Sequence, residues 1–238
     1  MFNYTKFKLN TFHLKIIAVL IMVVDHIAYI MIPSSEPIYL IMRSVGRISA
    51  PLFWYGFVEG YRRTSNAARY KQRLAIGAIV MGVGNEIVTL FPTQNLPTMS
   101  FLTPNMFLTF LLMAIVIDSI EHIKNKKSIL EILFSCSVLM MSLYVVISFA
   151  DYGWLVTSSI LCLYFLKNKT IKYTLFVVVN LFICMVINNA MQMFMVIAVL
   201  PMLLCSNQKP KHNMKWFFYL FYPLHFWFLC LIQIMISQ

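Results

Sequence analysis

Residues 14–32 read LKIIAVLIMVVDHIAYIMI, an apolar run interrupted only by Lys15, Asp25 and His26. A stretch of this kind matches the roughly 20 residues needed to cross a hydrocarbon layer of about 30 Å at about 1.5 Å per residue. Comparable runs follow at 38–61, 74–92, 104–121, 129–149, 153–167, 172–190, 191–206 and 216–236. The sixth and eighth are short and could be tilted, re-entrant or interfacial. Backbone polar groups in lipid must satisfy one another, so such runs become helices unless a barrel closes, and no period-2 alternation points to a barrel. The expected fold is an all-α, polytopic membrane helix bundle of about nine transmembrane helices, one domain over residues 1–238.

Composition agrees. The chain is 61% hydrophobic and 11% charged, with a mean hydropathy of +0.79, whereas a soluble domain carries about 25% charged residues. The charges are also sorted. If the N-terminus is cytoplasmic, the inner segments are 1–15, 62–73, 122–128, 167–172 and 207–215. They hold all but two of the 19 Lys and Arg, while the outer connections hold none. This positive-inside bias sets the N-terminus inside and the C-terminus outside. It also disposes of nucleic acid as a partner: a net charge of +11 and a pI near 9.5 are explained by short loops beside anionic membrane lipid. The five cysteines lie singly in apolar runs, a spacing that suits neither a metal site nor a disulfide framework.

Function is therefore sought among polar groups inside the spans, each of which costs several kcal/mol in hydrocarbon unless paired or hydrated. Helical rise puts His26 about 18 Å from the inner edge of the first helix and His225 about 14 Å from the inner edge of the last; Arg47 lies about 14 Å from the outer edge of the second. Three ionisable groups thus share a level near the midplane. Asp25 and His26, adjacent on a helix, point about 100° apart and do not form a ready-made dyad; Arg47 is the expected partner of Asp25. In Gly46-Arg47-Ile48-Ser49-Ala50-Pro51-Leu52-Phe53, Pro51 cannot donate to the carbonyl of Arg47, so a kink is expected there. Gly46, Ser49 and Ala50 permit close approach by another helix or a ligand. Pro223 does the same to the carbonyl of Tyr219, beside His225. Asn85, Glu86, Asn105 and Asp151 lie toward the outer half. At the inner end of the second span Glu59 can pair with Arg62 or Arg63. The basic stretch from Arg62 and Arg63 to Arg73 serves topology and could also hold the phosphates of a nucleotide-like cofactor.

These residues resemble a known family. Leu14-Lys15-Ile16-Ile17-Ala18 leading to Asp25-His26-Ile27 looks like the opening of the TraX family. Gly46-Arg47 through Pro51-Leu52-Phe53, Glu59-Gly60-Tyr61-Arg62, Asn105, Asp151-Tyr152-Gly153 and Lys215-Trp216 to Tyr222-Pro223-Leu224-His225 continue the likeness in order. The resemblance implies a membrane-embedded N-acetyltransferase of a bacterial plasma membrane that uses acetyl-CoA, with a peptide, pilin-like or other envelope acceptor. Under that reading His26, His225, Asp25 and Arg47 form the catalytic group. Asn105, Glu86 and Asp151 serve the acetyl group or the acceptor, and Glu59, Arg62, Arg63 and Arg73 the cofactor. The rival expectation is a proton-coupled transporter with a midplane His/Arg/carboxylate site, although no inverted repeat is visible.

The orientation has a direct test. A reporter active only outside the membrane should work when fused after Gln238 and fail when fused after Lys127; the reverse pattern would overturn the assigned topology.

Overall fold

The first helix begins where the sequence supplies a cap. Asn10 accepts hydrogen bonds from the amides of Phe12 and His13, both at 3.0 Å, and its own amide donates to Nδ1 of His13 at 3.3 Å. Two orphan donors are so satisfied, and α1 runs from Thr11 to Met31. The computed structural model describes residues 9–91, 96–125, 128–150, 153–206 and 214–237. Among these, α2 covers Pro37–Gly46, α3 Ser49–Arg62, α4 Ala67–Thr89, α5 Met106–Asn125 and α6 Ile129–Phe149. α7 covers Gly153–Phe165 and α8 Lys169–Val186. A 3₁₀ segment, Ala190–Ala198, leads into α9 (Val199–Leu203), and α10 is Lys215–Ile236. No strand occurs among the described residues, and the all-α bundle expected from hydropathy is what forms. The helices of α1, α5, α6, α8 and α10 are each long and apolar enough to cross a membrane.

Two expected spans are irregular, for local reasons. The run 38–61 is two helices with a tightened turn at Arg47 and Ile48, where the amide of Ile48 bonds back to the carbonyl of Val45 at 3.1 Å. The break falls where the donor missing at Pro51 is felt, four residues upstream. The hydroxyl of Ser49 donates to the carbonyl of Gly46 at 2.8 Å and takes up one of the freed acceptors. The run 191–206 is no continuous α-helix but the 3₁₀ segment followed by a five-residue helix. Asn188, at φ 50°, turns the chain into it through the left-handed region.

α1 lies at the centre, packed on α2, α3 and α10, while α5 joins α4 to α6 and α3 leans on α7. Leu14, Ala18 and Met22 of α1 and Met113, Ala114 and Ile117 of α5 are buried. The outer faces stay apolar: on α6, Leu130, Phe134 and Met141 are 74%, 71% and 73% exposed. Soluble proteins rarely show a continuous apolar exterior, and lipid is the solvent that tolerates one. Leu9 pairs with the chain at Cys205: its amide donates to the carbonyl of Leu204 at 3.2 Å and its carbonyl accepts from Ser206 at 2.7 Å. The start of α1 and the end of α9 thus share one side of the bundle, as the charge pattern requires.

α4 approaches α10 through Gly84, where an added Cβ would overlap the indole of Trp227. That indole donates to Oδ1 of Asn85 at 3.3 Å, so it cannot withdraw without losing the bond. Gly84→Val should destabilise the protein by about 1–3 kcal/mol, read as a lower thermal midpoint in detergent; an unchanged midpoint would refute this account of the α4–α10 contact.

Candidate functional site

Adjacent positions on α1 send their side chains to different neighbours. Asp25 turns to α2, where Nη1 of Arg43 donates to its Oδ2 at 2.7 Å. Both residues are buried. Asp25 also packs against the bare Cα of Gly46, since any Cβ there would overlap its carboxylate. The small residues of the Gly46–Ala50 stretch therefore admit the carboxylate of α1. The guanidinium of Arg43 lies over the ring of Tyr29, 4.5 Å from its centroid, an arrangement that suits a desolvated cation. Arg47 lies one turn further along, buried, with its charge acting on both Asp25 and His26.

His26 turns to α10. Its Nδ1 is 2.7 Å from Nε2 of His225, and the two rings are parallel to within 5°. Nδ1 of His225 is in turn 2.7 Å from the carbonyl oxygen of Phe221. Protonation follows from these partners. A carbonyl only accepts, so Nδ1 of His225 carries hydrogen. In the neutral ring its Nε2 is then an acceptor, to which Nδ1–H of His26 donates. The same rule leaves Nε2 of neutral His26 with a lone pair, and no described residue bonds to it. Phe221 stacks on His225 and Phe226 meets His26 edge-on, so both rings are held in place.

Beside His26 is a small cavity of about 80 Å³, lined among others by Asp25, His26, Ser49, Ala50, Thr109 and Tyr222. It has room for about two or three waters or a group of that size. Four expected residues thus converge on one level: His26 and His225 in contact, Asp25 and Arg47 beside them. Arg47, the expected partner of Asp25, acts on the carboxylate through its charge, and Arg43 makes the hydrogen bond to Oδ2. Arg43 was overlooked although it stands four residues before Arg47, on the same helical face. A charged residue within an apolar run was the available signal.

The outer-half residues form a different constellation. The amide nitrogen of Asn105 donates to the carbonyls of Ala78 and Phe101 at 2.9 and 3.1 Å, and its oxygen accepts from the amide of Leu108 at 3.1 Å. Oε1 of Glu86 accepts from the amide of Phe101 at 2.6 Å. Asn85 donates to the carbonyls of Ser100 and Pro104, both at 3.1 Å. All three hold the 100–104 loop against α4, and Pro104 of that loop lines the cavity. Asp151 lies outside the described residues.

The residues expected near the cofactor divide. Glu59 accepts from Arg63 at 2.6 Å, with Arg62 at 3.8 Å. Arg62 faces α7, its guanidinium 5.1 Å from the centroid of Tyr164. Arg73 instead lies by Tyr70, 5.6 Å from its centroid, with its charge acting on Tyr219 of α10, one turn below the cavity-lining Tyr222.

Comparison with known proteins adds the following. The family model described as TraX protein matches residues 11–233. A curated relative, "Probable fimbrial assembly protein FimC, serogroup H1" of Dichelobacter nodosus, is 32% identical over 71 residues. That match covers 30% of this chain and 29% of the relative, so the chain aligns with less than a third of that protein's length. No solved structure matches.

The buried ion pair can be probed by removing one partner or both. Arg43→Leu strands the carboxylate of Asp25 and should cost about 3–5 kcal/mol, whereas the double variant Asp25→Leu with Arg43→Leu should recover part of that loss. Thermal unfolding in detergent reads the order; a double variant no better than the single would sink the argument.

Proposed function

The chain belongs to the TraX family, and from that premise we propose that it is an acetyl-CoA-dependent acyltransferase embedded in the bacterial plasma membrane. Its expected acceptor is an amine, such as a peptide N-terminus, or a hydroxyl. That it is a multi-pass membrane protein follows from its apolar helices and family. The observation that carries the catalytic reading is the hydrogen-bonded chain from the Phe221 carbonyl through His225 to His26. It supports His26 as the base, since the chain leaves a lone pair on a side chain that lines a cavity.

The chemistry asked of these groups is modest. An acceptor amine attacks the thioester carbonyl carbon; the C–N bond forms and the C–S bond breaks. The proton shed by the nitrogen goes to Nε2 of His26, which passes it on to the departing thiolate of CoA. As His26 becomes cationic, its Nδ1–H still donates to His225, and the carbonyl of Phe221 still receives the Nδ1–H of His225. His225 is thus a positioning residue that fixes the ring and tautomer of His26. Arg47, beside this pair, is suited to the negative charge that develops on the carbonyl oxygen. Asp25 offsets one of the two positive charges and holds Arg43 beside it at 2.7 Å. Asn105 and Glu86, already committed to the 100–104 loop, serve the site by shaping its roof. A group that fills a chamber this small is also shielded from hydrolysis. Likeness to a protein named for fimbrial assembly supports a pilin-like or other envelope acceptor.

Purified protein with labelled acetyl-CoA should place label on a peptide or glycan acceptor. His26→Ala and His225→Ala should each lower that transfer by about 100- to 10,000-fold while leaving the thermal midpoint near that of the wild type. Full activity in both variants would defeat the assignment. Solute uptake into liposomes without consumption of acetyl-CoA would favour the transporter instead.

A further inference from the structure

A second cavity, of about 470 Å³, opens where the inner ends of α3, α7, α8 and α9 meet. Its size is that of a small-molecule site, and its lining is charged. Arg62, Lys167, Lys169 and Lys172 all face it, against the carboxylates of Glu59 and Glu121. Both carboxylates are engaged. Glu59 holds Arg63 at 2.6 Å, and Glu121 accepts from the hydroxyl of Tyr164 at 2.7 Å. Positive charge is therefore in excess inside the cavity.

Lys172 makes the excess unusual. It is 8% exposed, on the first turn of a helix whose other lysine, Lys169, is open to solvent. Among the described residues its ammonium has neither an ion-pair nor a hydrogen-bond partner. A lysine needed only for membrane orientation has no reason to be buried, because its long stem lets the ammonium reach water. Burial toward a cavity rich in other cations is costly unless an anion enters. The rest of the lining combines the rings of Tyr55, Tyr164, Phe165 and Tyr173 with Met202, Leu203 and Cys205. Arg62 already lies over the ring of Tyr164.

We propose that this cavity binds the phosphorylated nucleotide end of the acyl donor, with Lys172, Lys169 and Arg62 on the phosphates and the aromatic walls against the base. Phosphates call for charge-assisted hydrogen bonds from Lys and Arg, and an aromatic wall gives a planar base something to stack on. The headgroup of an anionic phospholipid offers the same phosphate but nothing for the tyrosines. Tyr55, which lines this cavity, is the chain neighbour of Trp54, which lines the histidine cavity. The two cavities share α3 as a wall, and Arg62 and Ala50 are about 18 Å apart along it at 1.5 Å per residue. A ligand with an anionic head and a long flexible arm is the kind that spans such a pair. The identity of the ligand rests on the acetyltransferase reading; the phosphate site does not.

The test uses the full chain in detergent with adenosine 3′,5′-bisphosphate as probe, followed by calorimetry. Wild type should bind it, more weakly as salt rises. Lys172→Ala and the exposed Lys169→Ala should each weaken binding at least tenfold, Lys172→Arg should retain most of it, and the KM for acetyl-CoA should rise in step. His26→Ala should bind the probe as wild type does. Absence of probe binding, or binding indifferent to both lysines, overturns the site, and transfer with an unchanged KM would then leave the transferase reading standing. Binding that depends on the lysines without any transfer would do the opposite. Anionic phospholipid that co-purifies with wild type, is lost from Lys172→Ala and is not displaced by the probe would assign the cavity to a lipid and overturn the proposal.

Discussion

Asp25 and Arg43 meet at 2.7 Å between α1 and α2, with both side chains removed from solvent. Neither charge is affordable alone at this depth, because an isolated ion in a medium of low polarity loses far more hydration than packing returns. Together they form a dipole that the surrounding rings of Tyr29 and Tyr39 can accommodate. The pair sets the rotation of α1. With Asp25 committed to α2, the next residue must face elsewhere, and the direction it takes leads to α10. The contact between His26 and His225 is in this sense a consequence of the ion pair. Gly46 allows both, since no larger residue leaves room for the carboxylate.

Much of this was legible in the residues. Run lengths gave the helices, because lipid permits little else. That His26, Arg47 and His225 share a level followed from helical rise alone. Their mutual contacts did not, since rotation of a helix about its axis depends on which neighbour it packs against. Arg43 was hidden behind Arg47, the residue with the proline signature. The 3₁₀ segment at Ala190–Ala198 looked like a short span because apolar composition carries no record of hydrogen-bond pitch. The lysines at 167, 169 and 172 satisfy the charge bias of an inner loop and so carry no second signal in the sequence. Only burial of one of them separates a site from a solvated loop, and burial is a property of the packed bundle.

α3 emerges as the element that organises the inner half of the molecule. One face brings Ser49, Ala50 and Trp54 to the cavity at His26, and another brings Tyr55, Glu59 and Arg62 to the basic cavity. The tightened turn at Arg47 and Ile48 frees α3 from the direction of α2. A straight helix over 38–61 would have held both segments to one axis, leaving α3 unable to lean on α7 while α2 stays with α1.

The two histidines are 199 positions apart in the chain, one on the first helix and one on the last. A growing polypeptide exposes His26 to the bilayer long before its counterpart has been made. Until α10 is threaded into place, the imidazole has nothing to fix its tautomer. The contact therefore waits for α10 to insert, and a product terminated before residue 225 leaves His26 without it.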